Sequence, residues 1–195
     1  MSKKKKILIC CVIIFSFVFC VSLNASSYTF KPWKIKTSNP IMFIVQKEFG
    51  TTSFNHMNDA LYKWNSASGY TLMRRDPNSR HTDGVYPHKD GISCVYRINA
   101  GAGAGYVAQA STQSNLLTKN VTESDINFNM HYSWANSAKA GSYDVWSIFQ
   151  HESGHTAGLG HSANTSAVMY KYCSSNSISW RTLKADDRNG INAKY

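Results

Sequence analysis

The chain has 195 residues, of which 43% are hydrophobic and 16% are charged, and its formal net charge is +10. This length favours one domain with a substantial hydrophobic core, and the composition excludes a fibrous repeat or a wholly disordered chain. Beyond the N-terminal lysines the basic residues are scattered, with only Arg74 and Arg75 adjacent, so nucleic-acid binding is not predicted.

The first 25 residues have the pattern of a secretory signal peptide. Four lysines at positions 3–6 precede an almost unbroken apolar run over residues 7–21, and small and polar residues follow up to Ala25. The run is short for a membrane span, which needs about 20 apolar residues; an uncleaved anchor is the alternative. We therefore expect cleavage near Ala25, secretion, and no stable membrane span. Loss of the four lysines would lower the net charge of residues 26–195 to +6.

The next part of the chain predicts a strand, a helix and a second strand. β-branched and aromatic apolar residues predict a strand over residues 41–45. Thr52 or Ser53 can cap a helix that ends near Gly69. Four apolar residues recur at helical spacing on one face of this helix: Met57, Ala60, Leu61 and Trp64. Residues 70–73 are predicted to form the second strand.

Loop signals separate the remaining predicted elements. Residues 74–91 contain several turn dipeptides and are predicted to form a loop. Further strands are predicted for three segments: residues 92–98, 106–110 and 126–130. The pattern becomes helical from Ser142 and stops at Gly158, and Thr182 can cap a last helix near the C-terminus.

Two cysteines lie outside the predicted signal peptide, Cys94 and Cys173. An even pair in an exported protein is a candidate disulfide. Two buried free thiols are the alternative, since the sequence does not fix the distance between the residues.

The string with the clearest chemical meaning is HESGHTAGLGH over residues 151–161. His151 and His155 are four residues apart, so on a helix they lie on one face and can bind the same ion. Glu152 is offset from that row and can reach a water molecule without being a ligand. Gly158 can adopt the left-handed conformation that ends a helix, and the chain can then turn back and bring His161 to the same ion.

These residue types predict hydrolysis assisted by zinc. Three neutral imidazoles leave a fourth position open, which is the catalytic arrangement for zinc. Zinc lowers the pKa of a bound water to about 7 and polarises a carbonyl group. Glu152 is then expected to take the proton of that water and to pass a proton to the leaving amine.

The pattern His-Glu-x-x-His-x-x-Gly-x-x-His resembles the signature of the metzincin zinc metalloproteases. Met169, eight residues after His161, matches their Met-turn, where it would form an apolar floor beneath the ligands. Within this clan the closest resemblance is to the matrixins, the matrix-metalloproteinase-like family. Three segments carry that likeness: GLGHS at 158–162, AVMYKY at 167–172 and LKADDRNGI at 183–191.

The resemblance implies an α+β, zincin-like fold over residues 26–195. Its expected parts are a twisted, mostly parallel five-stranded sheet, two long helices, and a small irregular C-terminal subdomain that ends in a helix. The substrate would lie extended along the edge strand at residues 106–110, by β-strand addition. The resemblance also implies five residues of the substrate pocket: Tyr106, Val107, Ala108, Tyr170 and Tyr172.

The second, structural zinc site of the family is not expected in this chain. His81 and Asp83 could supply one pair of its ligands, but Gln109 and Asn127 stand where the family has strand histidines. Calcium in the loops is an open alternative without a clear ligand set.

The predicted function is that of a secreted, monomeric endopeptidase with one catalytic Zn²⁺. It would hydrolyse peptide bonds in protein or peptide substrates. The alternative is a catalytically inactive, secreted metal-binding interaction module on the same fold. The intact Glu152 favours the enzyme.

Overall fold

The computed structural model describes residues 27–77 and 89–195. Three α-helices and seven strands follow in chain order: β1 Ile41–Val45, α1 Gly50–Ser68, β2 Met73–Arg75, β3 Ser93–Ile98, β4 Ala108–Ser114, β5 Val121–Asn129, β6 Ser133–Ala135, β7 Ser142–Asp144, α2 Val145–Thr156 and α3 Ala185–Lys194. The predicted signal peptide and the segment that contains His81 and Asp83 lie outside the described residues. No helix within the described ranges combines the length and the apolar character that crossing a membrane requires.

The main sheet has five strands in the order β2-β1-β3-β5-β4. Neighbouring strands are parallel except β4, which runs antiparallel to β5 at one edge. A second, two-stranded sheet joins β6 and β7. The α+β fold with a mostly parallel five-stranded sheet is therefore confirmed, and the predicted strand at residues 106–110 corresponds to the edge strand β4.

The core lies between the sheet and the two long helices α1 and α2. The apolar stripe of α1 is fully buried, as its periodicity predicts, and Trp64 is 0% exposed. The Trp64 indole donates a hydrogen bond to the backbone oxygen of Gln150 on α2, at 2.8 Å. From the sheet, Phe43 packs edge-on against Phe149 of α2. These contacts fix α2, and with it the HESGH segment, against the rest of the fold.

The ends of α1 and α3 differ from the sequence predictions. Helix α1 begins at Gly50, directly after a 3-10 turn, so neither Thr52 nor Ser53 is its cap; Gly69 does end it, with a left-handed φ of 73°. Helix α3 is preceded by Lys184 rather than Thr182, because the Asp187 carboxylate accepts the Lys184 backbone N–H.

Strand β2 lies further along the chain than the predicted residues 70–73. The Asn65 side chain of α1 accepts the backbone N–H groups of Leu72 and Met73 and donates to the oxygen of Met73. The chain is therefore tied to α1 before it joins β1, and the β2 ladder starts only at Met73.

The candidate disulfide is wrong for this structure, in which Cys94 and Cys173 are both free thiols. Cys94 lies on β3, which β5 separates from the edge strand β4, whereas Cys173 lies with β4 around one cleft. Burial raises the pKa of the Cys94 thiol to about 12 and that of Cys173 to about 11.

Candidate active site

Helix α2 carries the first half of the site. Asp144 caps it by accepting the backbone N–H of Ser147 at 2.9 Å, and the same carboxylate forms an ion pair with Arg181 at 2.6 Å. One turn separates His151 from His155 on the helix face that borders the cleft. Their ring centroids are 4.7 Å apart.

The chain reverses immediately after α2, as the sequence predicts. The backbone N–H of Leu159 reaches the oxygen of Gly154 at 3.0 Å, and Gly158 has a φ of 91°. A β-carbon on Gly158 would lie 2.5 Å from the backbone oxygen of Trp33, so only glycine fits this turn. The turn brings the His161 ring to 4.8 Å from that of His155.

The three histidines together form a group that can hold a metal ion. One ligand atom of each, from His151, His155 and His161, lies within 4.8 Å of the others. The Nδ1 atom of His151 is 2.7 Å from the Val168 oxygen, and that of His155 is 2.8 Å from the Leu159 oxygen. Each Nδ1 therefore carries the proton, which leaves Nε2 free to bind a metal.

Burial keeps these imidazoles neutral. It lowers the pKa of His151 to about 4 and that of His155 to about 3, and it also lowers the pKa of His161. A neutral imidazole is the form that binds a metal ion. At neutral pH these imidazoles therefore do not have to lose protons before they bind a metal ion.

Glu152 lies beside the three histidines and is 7% exposed. Its Oε2 atom accepts the backbone N–H of Ala110 on the edge strand β4, at 2.9 Å. Burial raises the pKa of this carboxyl to about 7, and the hydrogen bond from Ala110 opposes the rise. A carboxyl group in this range can both accept and release a proton near neutral pH.

Met169, the predicted Met-turn residue, packs against helix α2 between His151 and His155. It is 1% exposed, and a β-carbon on Gly154 would overlap its sulfur atom. The Asp187 carboxylate accepts the backbone N–H groups of Val168 and Met169, at 2.9 and 3.0 Å. Asp187 thus holds the Val168 oxygen that orients His151.

Sequence reasoning missed this contribution of Asp187. In the sequence, Asp186 and Asp187 serve only as part of the matrixin-like segment at 183–191, which does not indicate the groups that they contact. The neighbouring Asp186 accepts hydrogen bonds from the hydroxyl groups of Ser27 and Ser162.

The segment before β1, residues 27–40, also supports the site, through contacts that no sequence motif predicted. Phe30 forms an antiparallel bridge with Leu159. The Lys31 N–H donates to the Gly158 oxygen at 2.9 Å. The indole of Trp33 donates to the backbone oxygen of His155 at 3.1 Å. Contacts from the N-terminal segment therefore stabilise the turn between His155 and His161, in addition to the left-handed conformation of Gly158.

A cleft of about 470 Å³ opens beside the histidines and Glu152. Four of the five predicted pocket residues line it: Tyr106, Val107, Ala108 and Tyr172. Tyr170 instead lines a neighbouring cavity of about 190 Å³. Lys31 and Lys171 add two cationic side chains to the lining of the cleft.

Trp180 borders both the cleft and the neighbouring cavity, as Ile148, Tyr172 and Cys173 also do, and it was not predicted. It lines both spaces and is 8% exposed. Its ring stacks on that of His151, with centroids 4.9 Å apart and planes 13° from parallel. No sequence pattern signals this contact, because Trp180 lies in a short 3-10 turn, Ser179–Arg181, far along the chain from α2.

Comparison with known proteins agrees with this geometry. The hatching enzyme of Paracentrotus lividus is 31% identical over 137 residues, which cover 68% of this chain and 20% of that protein. Human neutrophil collagenase is 34% identical over 71 residues, which cover 36% of this chain and 15% of that protein. The chain thus spans about a fifth or less of the length of these relatives. The family profile described as Matrixin matches residues 86–195, more than half of the sequence, and the chain belongs to the matrixin family.

Proposed function

We propose that this chain is a secreted zinc endopeptidase that cleaves protein or peptide substrates bound as extended strands. The observation that carries the proposal is the hydrogen bond between Glu152 and Ala110. It puts a buried carboxyl between three converging imidazoles and the free edge of a sheet. An acid–base group, a metal site and a place for an extended peptide therefore meet in one cleft.

The donor set fits zinc. We assign His151, His155 and His161 as its ligands. Three imidazole nitrogens with an open fourth position are typical of catalytic zinc, and the backbone acceptors on Nδ1 set the first two rings in the orientation that such ligands require. When bound, zinc supplies a Lewis acid that acidifies water and polarises a carbonyl group.

Glu152 is the proposed acid–base catalyst. Its Oε2 atom is engaged with the Ala110 N–H, so the carboxyl can accept the proton of the attacking water at Oε1. It then returns a proton to the amine that leaves. In the metal-free site burial raises the pKa of this carboxyl to about 7, so the low-polarity surroundings of Glu152 favour a group that both accepts and releases a proton.

The edge strand is the proposed site for the substrate backbone. Strand β4 pairs with β5 on one side only, and the residues from Gly105 to Ala110 line the cleft. An extended peptide can add to the free side through backbone hydrogen bonds, while its side chains alternate towards and away from the cleft. Trp180 and Tyr172 then limit the space for a side chain next to the histidines.

Secretion rests on the predicted signal peptide at residues 1–25 and on the relatives. The hatching enzyme and the collagenase have names that indicate action outside the cell. The remaining residues, 26–195, are the proposed catalytic domain, and we expect it to act as a monomer without nucleic acid.

The test compares wild type with Glu152→Gln, which keeps the shape of the side chain and its hydrogen-bond acceptor. Zinc content is measured by elemental analysis, and cleavage is measured on a proteome-derived peptide library with and without a chelator. We expect equal zinc content and a loss of cleavage of at least about a hundredfold in Glu152→Gln. The exposed Glu48→Gln variant is the matched control and should retain both.

Two outcomes would reject the proposal. Cleavage retained in Glu152→Gln would remove the assigned catalyst. Bound zinc in wild type with no cleaved peptide at any pH would favour the non-catalytic metal-binding module instead.

A further inference from the structure

The tip of the β4–β5 hairpin presents two adjacent leucines to solvent. Leu116 is 82% exposed and Leu117 is 92% exposed. They are the most exposed large hydrophobic side chains among the described residues. Single exposed leucines are ordinary, but a neighbouring pair at a protruding tip presents a contiguous apolar surface that suggests a binding partner.

The fold holds these leucines outward. The Asn115 side chain accepts the backbone N–H groups of Leu117 and Thr118, both at 2.9 Å. The backbone of Asn115 closes the same turn through Asn120 and Lys119, again at 2.9 Å. An ordered turn therefore displays the apolar pair, and among the described residues both side chains remain exposed.

Exposed lysines surround the base of this tip. Lys34 is tied to the hairpin by two backbone hydrogen bonds: its N–H donates to the Lys119 oxygen at 3.0 Å, and its oxygen accepts the Val121 N–H at 2.9 Å. Lys36 follows two residues later, and all three lysine side chains are exposed. Lys34, Lys36 and Lys119 form a cationic group at the base of the hairpin tip that carries the two leucines.

The cationic group borders a cavity that has no acidic side chain in its described lining. A cavity of about 460 Å³ lies between the hairpin and the segment before β1, and three lysines line it: Lys34, Lys36 and Lys194. Of the residues that the structure describes, no aspartate or glutamate lines this cavity. Lys194 is already engaged, because its ammonium group donates to the backbone oxygen of Lys31 at 2.8 Å. Lys34, Lys36 and Lys119 are the cations that face outward.

We propose that the hairpin tip, defined as residues 115–120 with Lys34 and Lys36, docks on an anionic lipid bilayer. Leu116 and Leu117 enter the boundary between headgroups and acyl chains, and the lysines meet the lipid phosphates. A bilayer accepts a convex apolar point, and anionic headgroups complement the surrounding charge. A protein partner would instead need a groove shaped to this point.

Docking in this way leaves the cleft free. Leu117 lies seven residues beyond Ala110 along the hairpin, which corresponds to about 20 Å of extended chain. The surface at the tip is thus separate from the candidate active site. The inference goes beyond the proposed function, because it concerns where the domain acts and does not depend on catalysis.

The test is co-sedimentation of the protein, expressed from the whole chain, with vesicles. The vesicles contain phosphatidylcholine alone or phosphatidylcholine with phosphatidylserine. We expect wild type to bind the anionic vesicles and to be released as salt is raised. Leu116→Ser with Leu117→Ser should weaken binding by about tenfold or more. Lys36→Gln with Lys119→Gln should weaken it by at least about fivefold.

The matched control is Tyr62→Ser, which removes a large side chain that is 71% exposed on α1. It should bind as wild type does, and circular dichroism should show that every variant is folded. Equal binding by the double leucine variant and wild type would overturn the proposal, since residues other than the tip would then be responsible. Failure of wild type to bind anionic vesicles would overturn it as well and would leave a protein partner for the leucines.

Discussion

Replacement of Gly158 by alanine tests the turn that joins the second and third histidines. A residue other than glycine at a φ of 91° costs about 1–2 kcal/mol. The new β-carbon would also lie 2.5 Å from the Trp33 oxygen and 2.7 Å from Lys194 Cε. Because the first of these atoms is backbone, the segment before β1 must shift, which adds about 1–3 kcal/mol. We expect Gly158→Ala to lower the free energy of unfolding by about 2–5 kcal/mol.

Gly69→Ala is the matched control for backbone strain. Gly69 also has a positive φ, of 73°, but nothing lies within 4 Å of its added β-carbon. It should therefore lose only about 1 kcal/mol. The difference between the two variants isolates the contact with Trp33 and Lys194.

Two assays measure these effects. Urea unfolding in the presence of a chelator gives the free energy of unfolding without metal. Zinc titration then gives the affinity of the site. Gly158→Ala should bind zinc at least about tenfold more weakly, because the turn positions His161 and also supplies the Leu159 oxygen that orients His155. Gly69→Ala should bind zinc as wild type does. If Gly158→Ala were no worse than Gly69→Ala in both assays, the assigned role of the turn would be wrong.

Three further substitutions test the contacts of Asp187, Trp180 and Glu152. Asp187→Asn should lower the free energy of unfolding, measured in urea, by about 1–3 kcal/mol and should weaken zinc binding. The asparagine amide cannot accept all three backbone N–H groups that the Asp187 carboxylate accepts, so at least one is left unpaired. Equal stability of variant and wild type would contradict this. Trp180→Ala should join the cleft to the neighbouring cavity, so that the cleavage profile on a peptide library shifts towards larger side chains. An unchanged profile would show that Trp180 does not separate the two spaces. Without metal, Glu152→Gln should exceed wild type in stability by up to about 3 kcal/mol at about pH 8 and match it at about pH 4. Burial raises the folded pKa of Glu152 from 4.5 to about 7, so its stabilising proton is lost as pH rises through 7; a pH-independent difference would refute this.

The parts of the site that the sequence predicts are those set by local geometry. His151, His155 and His161 lie within eleven residues, and helical spacing with one glycine turn is enough to place them. The strand at residues 41–45 and the buried stripe of α1 follow from short periodicities in the same way.

The parts that the sequence did not predict depend on contacts between distant segments. Trp180 contacts His151 from a short 3-10 turn late in the chain, and Trp33 contacts the backbone oxygen of His155 from the N-terminal segment. The helix caps were missed for a related reason. Helix α1 continues from a preceding 3-10 turn, and α3 is capped by Asp187, a residue that also holds the Met-turn. Composition and spacing carry no information on such shared roles.

The hydrogen bond from Ala110 joins Glu152, the proposed acid–base catalyst, to the strand on which a substrate is proposed to lie. A change in the charge of this carboxyl alters the strength of its hydrogen bond to the strand. A peptide that displaces the strand lengthens or breaks the same bond. If the proposed endopeptidase activity is correct, substrate affinity and turnover should therefore be coupled, and a substitution on either side of the bond should change both together.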